Sequence, residues 1–269
     1  MSLVIIIPTY NESENIAPLM YAISERVDAH IIVVDDNSPD GTGDVVRELT
    51  RSNQKIHLVA RTQKLGFASA CREGFGKALT LSADIVIQMD SDYSHDPRHL
   101  VDLVRMCDRY DVVIGSKYIH GGRVEGLSWW RAALSRYGNR YIRRVLSMKR
   151  PDFNLRDSTS GYVAWRSDIL RELISETLSS QGYGFQVELK WKAFLQGARI
   201  WEEPIVFRDR VNGKSKLTSS IALEVLLLPL KLMAFGKSGW GNQKTAVRNI
   251  QKISLDGADI SEISSGDGE

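Results

Sequence analysis

Two aspartates one residue apart, Asp90 and Asp92, follow an apolar run, Ile85 to Met89, that reads as a buried strand. Like charges that close repel each other, and desolvating them is costly unless a cation compensates. A divalent metal that also holds a phosphate is one chemistry this pattern would serve. The same residues would also suit a solvated acidic turn, with Ser94 and Asp96 placed to cap a helix starting near Pro97. Two earlier strands end in comparable residues. Leu3 to Ile7 runs into Pro8-Thr9-Tyr10-Asn11-Glu12, and His30 to Val34 runs into Asp35-Asp36-Asn37.

The elements that must position these residues alternate. Helices are expected over about 15–27, 42–52 and from Lys64 to about Leu81, between strands at Leu3–Ile7, His30–Val34, Ile56–Ala60 and Ile85–Met89. The strand runs are too continuous for half-exposed strands, so an α/β fold is expected: a Rossmann-like, mostly parallel sheet with helices on both faces. Ligands in such sheets sit beyond the carboxyl ends of the strands, where Tyr10, Glu12, Asp35, Asp36, Asp90 and Asp92 all fall. A structural protein has no need for that coincidence. Neither the G-x-G-x-x-G pattern nor a P-loop is present, so a nucleotide would be held by carboxylates and a metal. Glu12 or Asp36 could then hydrogen-bond a base or ribose.

Bulk composition excludes little. The chain has 269 residues, 43% hydrophobic and 25% charged, with a net charge of +2. Charge is uneven, however: Lys117 to Arg150 holds nine Lys or Arg and one acid, Glu125. That block suits either an anionic partner or a solvated helix face. Cys71 and Cys107 make no disulfide framework or metal-ligand spacing, which fits a reducing compartment. The opening MSLVIIIPTY reads as a strand and not a signal peptide.

Beyond the acids, Asp111–Gly115 reads as a strand and HGGRVEG, residues 120–126, as a mobile loop. Ser128 to Arg150 reads as a long helix, with Trp130, Leu134, Tyr137, Tyr141, Val145 and Met148 as its buried stripe. Arg131 and Ser135 share another face, which with Lys117 and Arg123 could grip a phosphate. Asp157 could face the site or serve a turn. A helix runs from Gly184 to about Gln196, followed by short strands at Arg199–Glu202 and Ile205–Phe207. The cationic loop from Arg208 to Lys216 suits a pyrophosphate. The segment 217–236 is apolar, but Glu224, Pro229 and Lys231 argue against a membrane span. A membrane-interface helix, a core-packed helix or a dimer face all fit it. The tail, 237–269, turns Gly/Ser-rich and acidic and is expected to be partly disordered.

Five blocks taken together carry a family resemblance: PTYNE at 8–12, VVDDNSPDGT at 33–42, DSD at 90–92, GSKY at 115–118 and the DR-x-x-G-x-SKL run at 209–217. In this order they resemble inverting glycosyltransferases of family 2 with the GT-A fold, and within it the polyprenol (dolichol) phosphate mannose synthases. The resemblance implies a catalytic region over 1–216. It implies that Pro8, Tyr10, Glu12, Val34 and Asp36 hold the donor nucleotide, together with Asp90, Ser91, Asp92, Gln186, Arg210 and Lys216. Asp92, supported by Asp90 and Ser94, would ligate a divalent metal (Mg or Mn) on the donor diphosphate. Lys117, Arg131 and Ser135 would hold the lipid phosphate, and Gln186 and Glu188 match an F-Q-x-E block. Where the family usually has Gly-Ser-Arg-Tyr, position 117 is lysine, which keeps the charge and loses the bidentate fork.

The expected reaction is mannose transfer from a nucleotide sugar, GDP-mannose, to a polyprenyl phosphate. The enzyme would be peripheral on the cytoplasmic face of a membrane, held there by its own helices or by a separate membrane-anchoring subunit. Transfer of glucose or another sugar from a UDP-sugar and a catalytically idle binding module are the alternatives. Nucleic acid is not an expected partner, because the aromatics of the basic block fall on its apolar stripe and are not interleaved for base stacking.

Overall fold

The structure, a computed structural model, describes residues 1–180, 182, 184–209 and 226–233. Its strands are β1 (Leu3–Thr9), β2 (His30–Asp35), β3 (Ile56–Ala60), β4 (Ile85–Gln88), β5 (Val112–Ser116), β6 (Arg123–Glu125), β7 (Val163–Arg166), β8 (Ile200–Pro204) and β9 (Val206–Arg208). Its helices are α1 (Ser13–Ser24), α2 (Thr42–Ser52), α3 (Phe67–Thr80), α4 (Leu100–Met106), α5 (Trp129–Ser147), α6 (Ser167–Ser175) and α7 (Gly184–Leu195). Seven strands form one sheet in the order β3-β2-β1-β4-β7-β5-β8, and β6 pairs with β9 in a separate ribbon. The large sheet is mostly parallel. Only β7 is antiparallel to its neighbours, β4 and β5.

Every residue of β1 is buried. Val4 and Ile6 enter a core with α3, α5, α6 and α7, while Leu3, Ile5 and Ile7 enter the other core with α1, α2 and α4. The period of a strand thus puts alternate side chains into two hydrophobic layers, and a continuous apolar run is what a sheet covered on both faces requires. The reversal at β4, whose neighbours are β1 and β7, leaves the carboxyl ends of β1, β2 and β4 together on one edge of the sheet.

Two expectations are corrected. The 120–126 stretch contains β6, which pairs with β9 in register Arg123–Val206. In α5 the expected stripe is mostly exposed: Trp130 is 52%, Leu134 51%, Tyr137 64% and Met148 77% accessible. The buried side is Asn139, Ile142, Val145 and Leu146, because Ile142 and Leu146 join the hydrophobic core. Periodicity identifies an apolar face without saying what covers it. Finally, α6 and the antiparallel β7 go beyond the alternation expected from sequence. Of the 217–236 segment, residues 226–233 are helical. Leu228 and Leu232 enter the core, while Leu226, Leu227 and Leu230 are exposed. No helix among the described residues is long and apolar enough to cross a membrane. The 237–269 tail lies outside the described residues.

Candidate active site

A cavity of 290 Å³ opens at the carboxyl edge of β1, β2 and β4. The end of β1 contributes Pro8, Thr9, Tyr10 and Glu12, and the end of β2 contributes Asp36. The start of α3 adds Lys64, Gly66 and Phe67. Asp90, Ser91 and Asp92 follow β4, and Thr159, Gly161 and Gln186 close the far side. Three distant strand ends therefore meet at one place. Val34 does not join them: its side chain is fully buried in the core beneath α3.

Hydrogen bonds hold these walls in place. Asp36 accepts from Arg61 Nη1 at 2.9 Å and from the N–H groups of Leu65 and Gly66, both at 2.8 Å. That uses most of its acceptor capacity to fix the loop entering α3. Gly66 sits at φ +89 with open space around its Cβ position, so the turn itself requires glycine. Asp35 accepts from Thr9 and Ser38, and Asp40 accepts from the N–H groups of Ser13 and Thr42. Lys64 lies 3.5 Å over the Tyr10 ring, which places a cation on the cavity wall.

The acidic pair is held asymmetrically. Asp92 is 4% accessible, and its carboxylate accepts the Ser94 N–H at 3.1 Å. The Asp90 side chain is 34% accessible, and its backbone N–H donates to His95 Nδ1 at 3.0 Å. His95 stacks on Tyr162 with centroids 4.9 Å apart. Burial lowers its pKa, against the opposing pull of Asp90 and Asp92, and keeps the ring neutral. Between the acids and this histidine, Tyr93 adopts φ +62, a left-handed conformation that bulky side chains rarely take. Such strain at a site edge persists only where surrounding contacts enforce it.

No three His, Cys, Asp or Glu side chains come together as a metal-holding group among the described residues. The buried Ser94 does not line the cavity. Asp90 and Asp92 do, and hard carboxylate oxygens on the cavity wall suit a Mg or Mn ion that completes its shell with water or phosphate oxygens. Gln186 also points to a ligand. It is 1% accessible and lines the cavity, and neither end of its amide has a hydrogen-bond partner among the described residues. A buried amide left unpaired costs free energy, which a polar ligand in the cavity would recover.

The 157–161 loop connects this cavity to a second charged region. Asp157 is fully buried and pairs with Lys117 Nζ. Glu202 accepts the N–H groups of Arg156 and Asp157, and burial raises its pKa. Lys190, also fully buried, donates to the carbonyls of Ser158 and Ser160. Thr159 bonds Asn139 of α5 and Asp157 while lining the cavity. Of the residues expected to hold a lipid phosphate, Lys117 is thus engaged with Asp157, and Arg131 Nη1 pairs with Asp209 at 3.1 Å. Ser135 lies beside Tyr118. None of the three lines the main cavity. Glu188 binds the N–H groups of Ser179 and Ser180, so it shapes the approach to α7. Arg210 and Lys216 lie outside the described residues. His95, Lys64, Arg61 and Lys190 were not singled out from sequence. Only His95, within the acidic stretch, stood near enough to a motif to be noticed.

The family model described as "Glycosyl transferase family 2" matches residues 4–174. The polyprenol monophosphomannose synthase of Mycolicibacterium smegmatis is 37% identical over 82% of this chain and 83% of its own length. The undecaprenyl-phosphate mannosyltransferase of Micrococcus luteus is 36% identical over 84% of this chain and 92% of its own. Among solved structures, glucosyl-3-phosphoglycerate synthase from Mycobacterium tuberculosis, in complex with Mg2+ and uridine diphosphate, superposes with a TM-score of 0.64 at 22% identity. It covers 88% of this chain and 81% of that one.

Proposed function

Because the chain belongs to glycosyl transferase family 2, we propose that it moves mannose from GDP-mannose to a polyprenyl phosphate, inverting the anomeric carbon. The observation that carries the reading is the single cavity shared by the acidic pair and the unpartnered Gln186 amide. The names of the two similar proteins, a polyprenol monophosphomannose synthase and an undecaprenyl-phosphate mannosyltransferase, support the sugar and the acceptor class. In this reading Pro8, Tyr10 and Glu12 hold the nucleotide, and Asp36 builds the wall around it. Asp90 and Asp92 hold a divalent metal, with Gln186, Ser91, Arg210 and Lys216 on the donor.

The acceptor phosphate is already an anion at neutral pH, so a strong general base is unnecessary. One of its oxygens attacks the sugar C1 in line. The new O–C1 bond forms as the bond from C1 to the diphosphate breaks, and the nucleoside diphosphate leaves with the electron pair. Positioning and charge neutralisation are then the enzyme's main contributions. A bound metal supplies positive charge to the departing diphosphate. Asp92 serves as a metal ligand and not as a base, Lys64 adds a cation at the wall, and Lys117, Arg131 and Ser135 orient the acceptor. The enzyme would work peripherally at the cytoplasmic face of a membrane, through its 217–236 segment or an anchoring subunit.

Transfer of radiolabelled sugar to a polyprenyl phosphate, compared across GDP-mannose, UDP-glucose and UDP-N-acetylglucosamine, tests the reading. GDP-mannose should be used well and the UDP-sugars poorly. Preference for a UDP-sugar would overturn the donor assignment. Absence of both transfer and metal-dependent nucleotide binding would leave only a binding module.

A further inference from the structure

Beside the 157–161 loop, away from the main cavity, is a second concavity of 420 Å³. Arg136, Arg140 and Arg143 line it from α5, and Arg156, Asn154 and Tyr118 complete it. Steps of four and three place the three α5 arginines on one side of the helix. Among the described residues, no carboxylate forms an ion pair with any of the four guanidiniums. Glu202, whose charge acts on Arg143, has its carboxylate engaged by the N–H groups of Arg156 and Asp157. Burial, then Arg156 and Arg140, lowers the pKa of Arg143, which is only half-buried. Four like charges around one hollow repel one another, and an anion would relieve that repulsion.

We infer that Arg136, Arg140, Arg143 and Arg156 form a phosphate-group site separate from the transfer site. The charges of Lys117 and Arg131 face Asp157 and Asp209, whereas these four face a common open space. Tyr118 stands between the two regions, its ring 4.9 Å from Lys117 Nζ and 5.6 Å from the Arg136 guanidinium. Planar guanidinium forks bind phosphate oxygens in bidentate pairs, and several forks around one hollow can engage the several oxygens of one phosphate. Two sources could present that group: a free phosphate or the headgroup of an anionic lipid. The surface favours the headgroup, because Trp129, at 83% accessible, Trp130 and Tyr137 are exposed on the same helix. Exposed Trp and Tyr beside cations is the composition of a membrane interface.

The test uses the full chain without donor or acceptor, so its outcome is independent of the transfer reaction. The Arg140→Gln/Arg143→Gln pair changes polar positions at the rim of the hollow. Arg47→Gln/Arg51→Gln on α2 removes the same charge from the opposite side of the sheet. Binding is measured to vesicles of phosphatidylcholine alone, to vesicles of phosphatidylcholine with phosphatidylglycerol, and to inorganic phosphate by calorimetry. The headgroup source predicts that the α5 pair weakens binding to anionic vesicles by roughly thirtyfold. Binding to neutral vesicles stays unchanged, and the α2 pair behaves as wild type. A free-phosphate source predicts calorimetric phosphate binding that the α5 pair alone abolishes, with no preference for anionic vesicles. Equal losses in both pairs, or no loss in either, would overturn the site.

Discussion

Lys117 Nζ stands 2.9 and 3.1 Å from the two carboxylate oxygens of Asp157, and both side chains are buried. Removing one partner of such a pair strands a buried charge, typically at a cost of about 3–5 kcal/mol. Lys117→Met and Asp157→Asn should therefore each lower the denaturant midpoint substantially. The double variant should lose less than the two singles together, because it leaves neither charge stranded. Strict additivity in equilibrium unfolding would mean that the pair is not coupled.

Gly161 is close-packed against the acidic pair. A Cβ there would meet Asp90 Oδ1 at 3.3 Å and His95 Cε1 at 3.4 Å. Its backbone is not in the left-handed region, so space decides the outcome. Gly161→Ala should displace the Asp90 carboxylate by a few tenths of an ångström, with a small effect on melting temperature. The proposed metal site should suffer more, with the metal concentration for half-maximal transfer rising several-fold. A melting loss large enough to account for the activity loss would assign the effect to folding.

Asp92→Ala removes a proposed metal ligand and the acceptor for the Ser94 N–H. Transfer should fall by orders of magnitude, and metal-dependent nucleotide binding should vanish in calorimetry while the near-ultraviolet spectrum stays native. Near-normal turnover would sink the proposed role. Asp92→Asn keeps the hydrogen bond to Ser94 and should be equally inactive, which separates the ligand role from loop support.

The strand-end acids were legible because type and position sufficed: a buried apolar run that stops at carboxylates marks the carboxyl edge of a covered sheet. What their side chains do was less legible. Asp36 reads as a ribose or base contact, yet it is engaged by Arg61 and by N–H groups from the loop entering α3, partners that only the fold brings near. Val34 matched a motif but points into the core, since neighbouring strand residues face opposite sides. The α5 stripe differs from its expected burial for a related reason. Spacing of three and four defines a face, whereas burial depends on which face meets the core. There that is Asn139, Ile142 and Leu146. Lys190 gave no local sign at all, because its carbonyl partners lie about thirty residues earlier in the chain.

Lys190 also makes a pH-dependent prediction. Burial lowers its pKa from 10.5 to about 7, against the favourable charge of Asp157. The unfolded chain then binds more protons than the folded one between those values, so stability rises with pH across that window. Below about pH 7 the cost of charging the buried amine is fully present. Lys190→Met removes this contribution, so its stability should rise less steeply than that of wild type between about pH 7 and 10, as followed by chemical denaturation. Because the Ser158 and Ser160 carbonyls also lose their donor, the stability of Lys190→Met relative to wild type should fall as pH rises through this window. Parallel pH profiles for the two proteins would show that Lys190 keeps an ordinary pKa.

The proposed acceptor role of Arg131 can be separated from donor binding. Its guanidinium meets Asp209 at 3.1 and 3.3 Å, and Arg131 does not line the main cavity. An acceptor phosphate arriving there would share the guanidinium with Asp209, and hydrogen bonds to charged groups are worth about 1.5–3 kcal/mol. Arg131→Ala should then raise the acceptor KM by roughly ten- to hundredfold and leave nucleotide affinity unchanged. Asp209→Asn offers the complementary reading. Freed from competition, Arg131 should hold the acceptor more tightly, and the acceptor KM should fall. Calorimetry with the nucleoside diphosphate and steady-state transfer with varied polyprenyl phosphate measure the two sides independently. Equal weakening of donor and acceptor in Arg131→Ala would place this arginine on neither substrate and assign it to holding Asp209 and the start of the cationic loop.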